Sequence, residues 1–546
     1  MAQGRRQVAI ALLGIGVIAV ALVSFAASAK VIEVPARGGT YIEGIAGFPQ
    51  AINPILAQDD ASLSIAALVF SGLTRSDEHG QFVPDLAERW AISDDSTGYT
   101  FWIRSDARWH DGQPVTAADV VYTIKTIQAP RYPGLLGPAW EGIAVEALDE
   151  RTVRFDTGEE PYAPFFQLAS VGLLPAHLLG EVAASDLLAH RFNSHPVGTG
   201  PFHLKEFRSQ SLLLEASDTY YGQRPSLDRI IFRVYPNYKT ILTALEQGDV
   251  DGVSYVAPDD LPRAWAAPNV QLYTAVLAST TILFLNTTVP PFDDLRVRRA
   301  VAHALDRAAL IARVRSGQAR RADSPIPPGS WAYRQDTPVY PYNLAQAQTL
   351  LDEAGWRPSD SGAAGDRVNS NGEPLHIVLL TNDRQERLSL AEAVGEQLRG
   401  AGFGVEVQAL GAGGLVQDFL RPRRYQAAIY SWDFNGLDPD TYAIWHSRQR
   451  ENGLNVSGFA DQQMDRLLED ARRTTDLGER ARLYREFQAR FAQQVPSILL
   501  YYPLYTYAVS TKVRDVRLGL MAGPGDRFRN VHEWYVRTRR EVQRRR

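Results

Sequence analysis

The sequence predicts a mixed α/β fold with more than one lobe, and three observations support this prediction. The chain has 546 residues, which is more than a single hydrophobic core normally organises. Residues 99–103 and 230–235 have the composition of strands, whereas residues 239–247 and 295–314 show the apolar spacing of amphipathic helices. These stretches alternate irregularly and without an internal repeat, which indicates an α/β or α+β protein.

The helix predicted at residues 295–314 is the clearest single element. Asp293 or Asp294 can accept hydrogen bonds from the amides of its first turn, and Gly317 offers a stop. We interpret this helix as a structural element. Its apolar face would collect Val297, Val301, Ala304 and Leu305.

Composition excludes several classes of protein and partner. The 57 basic and 62 acidic residues give a formal net charge of −5, so no nucleic-acid partner is expected. Because cysteine is absent, disulfides, thiolate metal sites and a cysteine nucleophile are excluded. The basic tail at residues 537–546 is expected to be a solvated chain end rather than a contact with an anionic membrane.

The first 29 residues have the layout of an export signal. Two arginines precede an apolar run over residues 8–23, and an Ala-Ser-Ala triplet at residues 27–29 fits a cleavage site. Cleavage there would leave Lys30 as the mature N-terminus. Residues 8–29 also reach the length of roughly 20 residues that spans a bilayer, so an uncleaved membrane anchor is the alternative. Both readings predict an extracytoplasmic protein.

No motif of catalysis or metal binding fits the chain. It has no Gly-x-Ser-x-Gly elbow and no Walker loop, and the His-Glu pair at 532–533 lacks the second histidine of a zinc helix. His190, His195 and His203 cannot share one helical face, and His110 reads as part of a turn. We therefore predict no catalytic residue, no metal ligand and no cofactor.

Short motifs follow one another in a fixed order over almost the whole chain after the leader. In chain order they are Asn53-Pro54, Trp-His-Asp-Gly at 109–112, His-Pro-Val-Gly-Thr-Gly-Pro-Phe at 195–202, Gly-Asp-Val-Asp-Gly at 248–252, Asn-Thr-Thr-Val-Pro-Pro-Phe at 286–292, the Arg-Arg-Ala-Val-Ala-His run within 297–307, Leu-Leu-Asp-Glu-Ala-Gly-Trp at 350–356, and Trp432 with Asp438-Pro439-Asp440. This order resembles the extracytoplasmic solute-binding proteins of the peptide/nickel family, family 5, which feed ABC importers.

The resemblance implies a two-lobed clamp of the periplasmic-binding-protein type, with a third domain inserted in the first lobe. Chain crossings near residues 283–287 and 496–501 would form the hinge, and a ligand would lie between the lobes. The turn at 197–201 would return the chain to lobe one. Its glycines would be needed because glycine can adopt backbone angles that are closed to other residues. The predicted parts are lobe one (38–73, 196–285 and 499–546), the inserted domain (74–195) and lobe two (286–498).

The resemblance also implies a ligand site in the loop after a short apolar strand at residues 427–430. In peptide-binding relatives, an aspartate three positions after the tryptophan pairs with the ammonium group of the peptide. Asn435 occupies that position here, and Asp433 could supply the counter-charge instead. Two further segments, residues 47–54 and 325–333, should face the cleft. The candidate ligand-binding residues are Trp432, Asn435, Asp433, Phe48, Asn53, Trp331 and Tyr430.

The function implied by the resemblance is that of a substrate-binding subunit of an ABC importer. It would capture a short peptide between its lobes, as a monomer and without covalent change, and deliver it to a membrane permease. The same clamp could instead bind a nickel chelate, an opine or an oligosaccharide. A secreted hydrolase is a more distant alternative, which would need paired carboxylates within about 5–10 Å of each other.

Overall fold

Strands and helices alternate along the described part of the chain, which confirms the predicted mixed α/β class. The computed structural model describes residues 29–544 apart from residues 159, 360–366, 435 and 452. The predicted leader therefore lies outside the described residues except at Ala29. Within the described ranges, no helix is long and apolar enough to cross a membrane.

The elements are numbered in chain order. The strands are β1 (Ala29–Ala36), β2 (Thr40–Ala46), β3 (Thr74–Ser76), β4 (Phe82–Pro84), β5 (Ala87–Ile92), β6 (Gly98–Ile103), β7 (Ala144–Ala147), β8 (Thr152–Asp156), β9 (Phe202–Arg208), β10 (Ser211–Ala216), β11 (Arg229–Tyr235), β12 (Gly252–Val253), β13 (Val270–Val276), β14 (Ser279–Leu285), β15 (Ala319–Arg321), β16 (Arg357–Pro358), β17 (Arg367–Val368), β18 (His376–Asn382), β19 (Gly404–Leu410), β20 (Ala427–Asp433), β21 (Ser497–Ser510) and β22 (Arg537–Arg544). The α-helices are α1 (Asp60–Val69), α2 (Ala117–Ile127), α3 (Phe165–Leu168), α4 (Ala176–Leu179), α5 (Tyr238–Gln247), α6 (Leu261–Ala266), α7 (Leu295–Ala304), α8 (Arg307–Arg315), α9 (Leu344–Glu353), α10 (Gln385–Ala401), α11 (Ala412–Gly414), α12 (Tyr442–Trp445), α13 (Gln462–Arg473) and α14 (Leu477–Gln494).

One sheet of twelve strands runs through the molecule. Its order is β19-β18-β20-β14-β21-β12-β2-β11-β10-β9, and β13 and β15 also pair with β21. The first half of β21 pairs with β14, whereas its second half pairs with β12 and β13. The strands β14 and β21 therefore carry the sheet from one half of the molecule to the other.

Buried apolar side chains form separate cores on the two sides of these central strands. One large core combines residues between 41 and 275 with residues between 505 and 534, and we call the surrounding body lobe one. Two further cores use only residues between 282 and 502, and they build lobe two. Residues 74–195, the inserted segment, contain a four-stranded sheet in the order β5-β6-β8-β7. This segment nevertheless shares the core of lobe one.

The predicted helices are present, with one correction. Residues 239–247 fall within α5, which begins where the Asn237 side chain accepts a hydrogen bond from the Thr240 amide. The single helix predicted at 295–314 is wrong, because α7 ends at Ala304 and a new helix starts at Arg307. The Asp306 side chain caps this second helix, so an aspartate inside the apolar pattern marks a break. The predicted apolar face is confirmed, and Val297, Val301, Ala304 and Leu305 are all buried.

The turn at residues 197–201 joins the inserted segment to lobe one, and His110 holds it. The Gly198 amide donates to Nδ1 of His110, 3.2 Å away, and Nε2 lies 3.0 Å from the Gly200 carbonyl. The expected reason for the two glycines is wrong, since neither has a positive φ. An added Cβ would lie 1.9 Å from the Val69 carbonyl oxygen at Gly198 and 2.4 Å from that of Leu68 at Gly200. Close backbone packing therefore requires these glycines.

We expect His110 to make folding stability depend on pH. Burial lowers the pKa of His110 from 6.5 to about 4, because removal from water disfavours the charged ring more than the hydrogen bond to the Gly200 carbonyl favours it. The unfolded chain therefore binds more protons between these values, so stability is full above pH 6.5 and falls as pH drops towards 4. The loss over this window is about 3 kcal/mol.

Urea unfolding of wild type and His110→Gln at a series of pH values measures this effect. The variant should show a flatter loss of stability between pH 6.5 and 4 than wild type. His79→Gln, at an exposed position, should keep the wild-type slope. Parallel curves for wild type and His110→Gln would contradict the assignment.

A buried charged network ties the end of the chain to β2 in lobe one. The Glu43 and Arg527 side chains are fully buried, and Nε of Arg527 lies 3.0 Å from a carboxylate oxygen of Glu43. The hydroxyls of Tyr41 and Tyr507 donate to the other carboxylate oxygen. Burial, followed by the Glu43 charge, raises the pKa of both tyrosines well above the usual value, so both stay protonated donors. Nη1 of Arg527 also donates to the Ser64 hydroxyl.

The two ends of the described chain form a ribbon of their own. The strands β1 and β22 pair antiparallel from Ala29 opposite Arg544 to Ala36 opposite Arg537, as a separate two-stranded sheet. Residues 537–544, expected as a solvated chain end, therefore form an ordered strand. Arg539 and Arg540 in this strand are exposed.

Candidate functional site

The parallel strands of the two lobes run towards each other, and their carboxyl ends meet near the middle of β21, where the two halves of the sheet join. In lobe one, β11 and β12 run parallel to β2, and their carboxyl ends lead into Asn237 and Ser254. In lobe two, β19 and β20 run parallel to β18. Loops and helix N-termini at the carboxyl ends of parallel strands are the usual position of ligand sites in open α/β sheets. This edge is therefore the candidate binding site.

A cavity of about 400 Å³ lies at the lobe-one part of this edge. Cavities of roughly 300–1,000 Å³ suit small-molecule ligands. Its lining is mainly apolar and aromatic, with a polar rim where the Tyr238 hydroxyl lies 3.1 Å from the Asp60 carboxylate. Burial, followed by Asp60, raises the pKa of Tyr238 to about 12, so this hydroxyl stays protonated. The lining includes Ile45, Asp60, Tyr238, Tyr255, Leu277 and Tyr505.

Arg387 provides a cation at the lobe-two part of the edge. It lies in the first turn of α10, directly after β18, and is partly exposed. Its Nη1 donates to the Thr281 hydroxyl at 3.0 Å, and its Nη2 donates to the Ser431 hydroxyl. Among the described residues, no carboxylate lies within 4.0 Å of its guanidinium group. Arg387 therefore has neutral partners that orient it and no counter-charge.

Asp433 provides an anion on the same face of the sheet. Ser431 lies opposite Thr281 and Asp433 lies opposite Ser279, and residues two apart in a strand point to the same side. Asp433 therefore lies about 6.5 Å along the strand from Ser431, whose hydroxyl accepts a hydrogen bond from Arg387. Its side chain is exposed, and no basic group of the described chain pairs with it. A cation and an anion, neither of which forms an ion pair within the described residues, thus lie on the same face of the sheet at this edge.

Three predicted aromatic residues lie on the other face of β20 instead. Tyr430 and Trp432 are opposite Ile282 and Thr280, and both pack against a lobe-two core. Trp331 packs against the same core, where its ring centre lies 6.1 Å from that of Tyr484. All three are partly exposed. The structure therefore groups these aromatics together, but separates them from Asp433 by the sheet.

The remaining predicted residues have different surroundings. Phe48 follows β2 and is partly exposed, with its ring centre 5.1 Å from that of Phe207. Asn53 is fully buried, and its side chain donates to Asn193 and accepts from the Ile55 amide. These contacts favour a structural role for Asn53. Asn435 lies outside the described residues.

Sequence reasoning missed Arg387 and a second arginine near the same edge. The Arg315 side chain is 10% exposed, and its Nη1 lies 2.9 Å from Glu386. Its Nε is buried and has no hydrogen-bond partner among the described residues. Each of these arginines lies at the end of a helix next to a strand. This position does not identify a ligand site, because arginines on solvated helix faces often occupy it as well. In the part of the chain that is described, no cluster of three or more His, Asp or Glu side chains could hold a metal ion.

Two lobes joined by strands that cross between them, with a cavity and unpaired charges at the crossing, define a solute-binding protein. The family of bacterial extracellular solute-binding proteins, family 5, matches residues 81–453, which is more than half of the chain. The chain belongs to this family, and the predicted resemblance is confirmed.

Three relatives illustrate the range of the likeness. The oligopeptide-binding protein AppA of Bacillus subtilis is 30% identical over 92% of this chain and 92% of its own. Its structure in complex with a nonapeptide has a TM-score of 0.67 and covers 92% of this chain and 99% of that chain. The dipeptide-binding protein of Escherichia coli K12 is 26% identical over 83% of this chain and 87% of its own. NikZ from Campylobacter jejuni, solved with Ni(L-His), is 27% identical, with a TM-score of 0.68 over 91% of this chain and 99% of that chain. These likenesses confirm the two-lobed fold.

Proposed function

We propose that this protein is the substrate-binding subunit of an ABC importer and captures a short peptide between its lobes. The observation that supports this most directly is the pair of unneutralised charges, Arg387 and Asp433, on one face of the sheet at the cavity edge. A short peptide at neutral pH carries one ammonium group and one carboxylate group. Asp433 would pair with the ammonium group and Arg387 with the carboxylate group.

The remaining surface suits the body of a peptide. The cavity in lobe one is mainly apolar and has aromatic walls at Tyr238, Tyr255 and Tyr505, which can cover side chains of different shapes. Binding is reversible and involves no covalent change. Phe48 is proposed to border the ligand and Asn435 to make a neutral contact. Trp331, Tyr430 and Trp432 lie on the other face of β20, so they are proposed to border the ligand only where it passes the carboxyl end of that strand.

We also propose the domain bounds, the oligomeric state and the location of the protein. Lobe one is formed by residues 38–73, 196–285 and 499–546, the inserted domain by 74–195 and lobe two by 286–498. The protein works as a monomer outside the cytoplasmic membrane, exported by its N-terminal leader or held by it, and presents the loaded clamp to a membrane permease. The oligopeptide-binding and dipeptide-binding relatives support this reading, as does the extracellular location of the family.

Calorimetric titration of the purified protein with trialanine, N-acetyl-trialanine and trialanine amide tests the function. Free trialanine is expected to bind, and Asp433→Asn and Arg387→Gln should each weaken it about 10- to 100-fold, since a hydrogen bond to a charged group contributes about 1.5–3 kcal/mol. Asp433→Asn should leave the affinity for the acetylated peptide unchanged, and Arg387→Gln should leave that for the amide unchanged. This cross-over assigns one peptide end to each residue.

Matched substitutions away from the edge serve as controls. Asp249→Asn and Arg485→Gln change exposed side chains of the same types and should bind all three peptides as wild type does. If no peptide binds but a nickel chelate, an opine or an oligosaccharide raises the melting temperature, the clamp has a different solute. A ligand at 100 times its Kd adds about 2.7 kcal/mol, so thermal melting would detect it.

A further inference from the structure

Residue 434 and residues 436–440, which follow Asp433, contact parts of the protein on both sides of the lobe boundary. We call this segment the clasp loop. Phe434 donates its amide to the Ala278 carbonyl at 2.9 Å, and Leu437 packs with Ala278 and Leu520 of the opposite lobe. At Gly80, in the turn between β3 and β4, an added Cβ would lie only 3.1 Å from Leu437. The loop is therefore enclosed by chain that belongs to the lobe-one side.

Two buried or half-buried ion pairs fix the clasp loop to lobe two. The Asp438 carboxylate receives both Nη groups of Arg480 at 2.9 Å, and the two side chains are 3% and 6% exposed. Asp440 pairs with Arg472 at 2.6 Å. Arg480 and Arg472 belong to α14 and α13, so two helices of lobe two hold the loop in place.

The inserted segment binds this fixed loop through main-chain groups. The Asp438 amide donates to the Gln167 side-chain oxygen at 2.9 Å. The Ala163 amide donates to the Arg472 carbonyl at 2.7 Å, and the Arg472 guanidinium carbon lies 5.6 Å from the centre of the Tyr162 ring. An added Cβ at Gly436 would lie 2.1 Å from the end of the Gln167 side chain, so only glycine allows this approach.

A third contact links the same ion pair to the β3–β4 turn. The Trp331 amide donates to the His79 carbonyl at 3.2 Å. The Trp331 ring in turn faces Arg480, whose guanidinium carbon lies 5.3 Å from the ring centre. The Asp438–Arg480 pair therefore stabilises two contacts with lobe two. One is the contact of residues 77–80 with Trp331, and the other is the contact of residues 163–167 with the clasp loop.

We infer that the clasp loop joins the inserted segment to lobe two and restrains opening of the clamp, independently of the crossing strands. Gln167 is the positioning residue of this contact. Because the clasp loop begins next to Asp433, the contact also connects the inserted segment to the candidate ligand edge. The inference goes beyond peptide binding, since it concerns movement of the lobes and holds for any solute.

Distances between two spin labels measure this restraint directly. The chain has no cysteine, so Leu135→Cys in the inserted segment and Tyr342→Cys in lobe two, both at exposed positions, give a labelled pair without background. In the full-length labelled protein, Gln167→Ala should raise the ratio of long to short distances by about fivefold or more, since loss of the hydrogen bond from the Asp438 amide alone corresponds to about that factor. Gly436→Ala, which displaces the Gln167 side chain, should shift the ratio in the same direction.

One control variant and two contrary outcomes complete this test. Gln210→Ala, an exposed glutamine in a turn of lobe one, should give the wild-type distribution. Distributions that are identical in wild type, Gln167→Ala and Gly436→Ala, or that become shorter, would overturn the inference. Addition of trialanine separates it from the proposed function. If trialanine changes no distribution while Gln167→Ala still lengthens the distances, peptide binding fails and the restraint stands.

Discussion

Replacement of Arg527 by leucine is expected to lower the free energy of unfolding by about 3–5 kcal/mol, because it leaves the Glu43 carboxylate buried without its cation. Tyr41 and Tyr507 would still donate to Glu43, but two neutral donors do not replace a positive charge. The Ser64 hydroxyl would also lose its donor. Unfolding in urea, followed by circular dichroism, measures the change in midpoint.

Two further variants show whether the uncompensated charge causes this loss. The double substitution Glu43→Gln with Arg527→Leu removes the charge but keeps an acceptor for the tyrosines, so it should be more stable than Arg527→Leu alone. Arg539→Leu alters an arginine that is 68% exposed and should change stability by less than about 1 kcal/mol. Equal losses in the single and double variants would argue against the charge as the cause.

Replacement of Arg480 by leucine is expected to destabilise lobe two by a similar amount, about 3–5 kcal/mol. Asp438 would lose a bidentate partner inside a site where both side chains are almost fully buried, and Trp331 would lose the cation over its ring. The clasp loop should then detach from α14. Urea unfolding gives the energy, and hydrogen exchange at the Asp438 amide reports the detachment.

Arg482 on the same helix supplies the matched control. It pairs with Glu479 and Glu486 but is 52% exposed, so Arg482→Leu should cost no more than about 1 kcal/mol. Combining Asp438→Asn with Arg480→Leu should recover part of the stability, since no charge is then left buried alone. A loss in Arg482→Leu as large as that in Arg480→Leu would mean that helix α14 itself, rather than the ion pair, sets the effect.

Local signals predicted the elements of the fold well where a cap or a stop stood next to an apolar pattern. Asn237 at the start of α5 is one such case, and the prediction there differs by a single residue. The failure at Asp306 has a physical reason, because an aspartate fits both a solvated helix face and a new N-cap, and only packing decides between them. The strand at the basic tail was missed because its partner, β1, lies at the opposite end of the sequence.

The candidate site was harder to predict because it depends on register and on distant neighbours. Asp433 could be proposed from its place shortly after the apolar residues 427–430, although the strand extends to Asp433 itself instead of ending before it. The face on which Tyr430 and Trp432 lie is set by the pairing of β20 with β14, about 150 positions earlier, and a shift of one residue would reverse it. Arg387 carries no local mark that distinguishes it from surface arginines, so its role follows only from the hydroxyls of Thr281 and Ser431.

The pairing of β1 with β22 sets an order for the maturation of the protein. A chain that is synthesised from its N-terminus presents Ala29–Ala36 long before Arg537–Arg544. Glu43 likewise meets Arg527 only 484 positions later, so the core of lobe one cannot close before most of the chain has been made. Contacts between such distant segments are slow to form. Completion of the fold thereby depends on residues 527–544, and a chain truncated before them would leave its first strand unpaired and the Glu43 carboxylate without its cation.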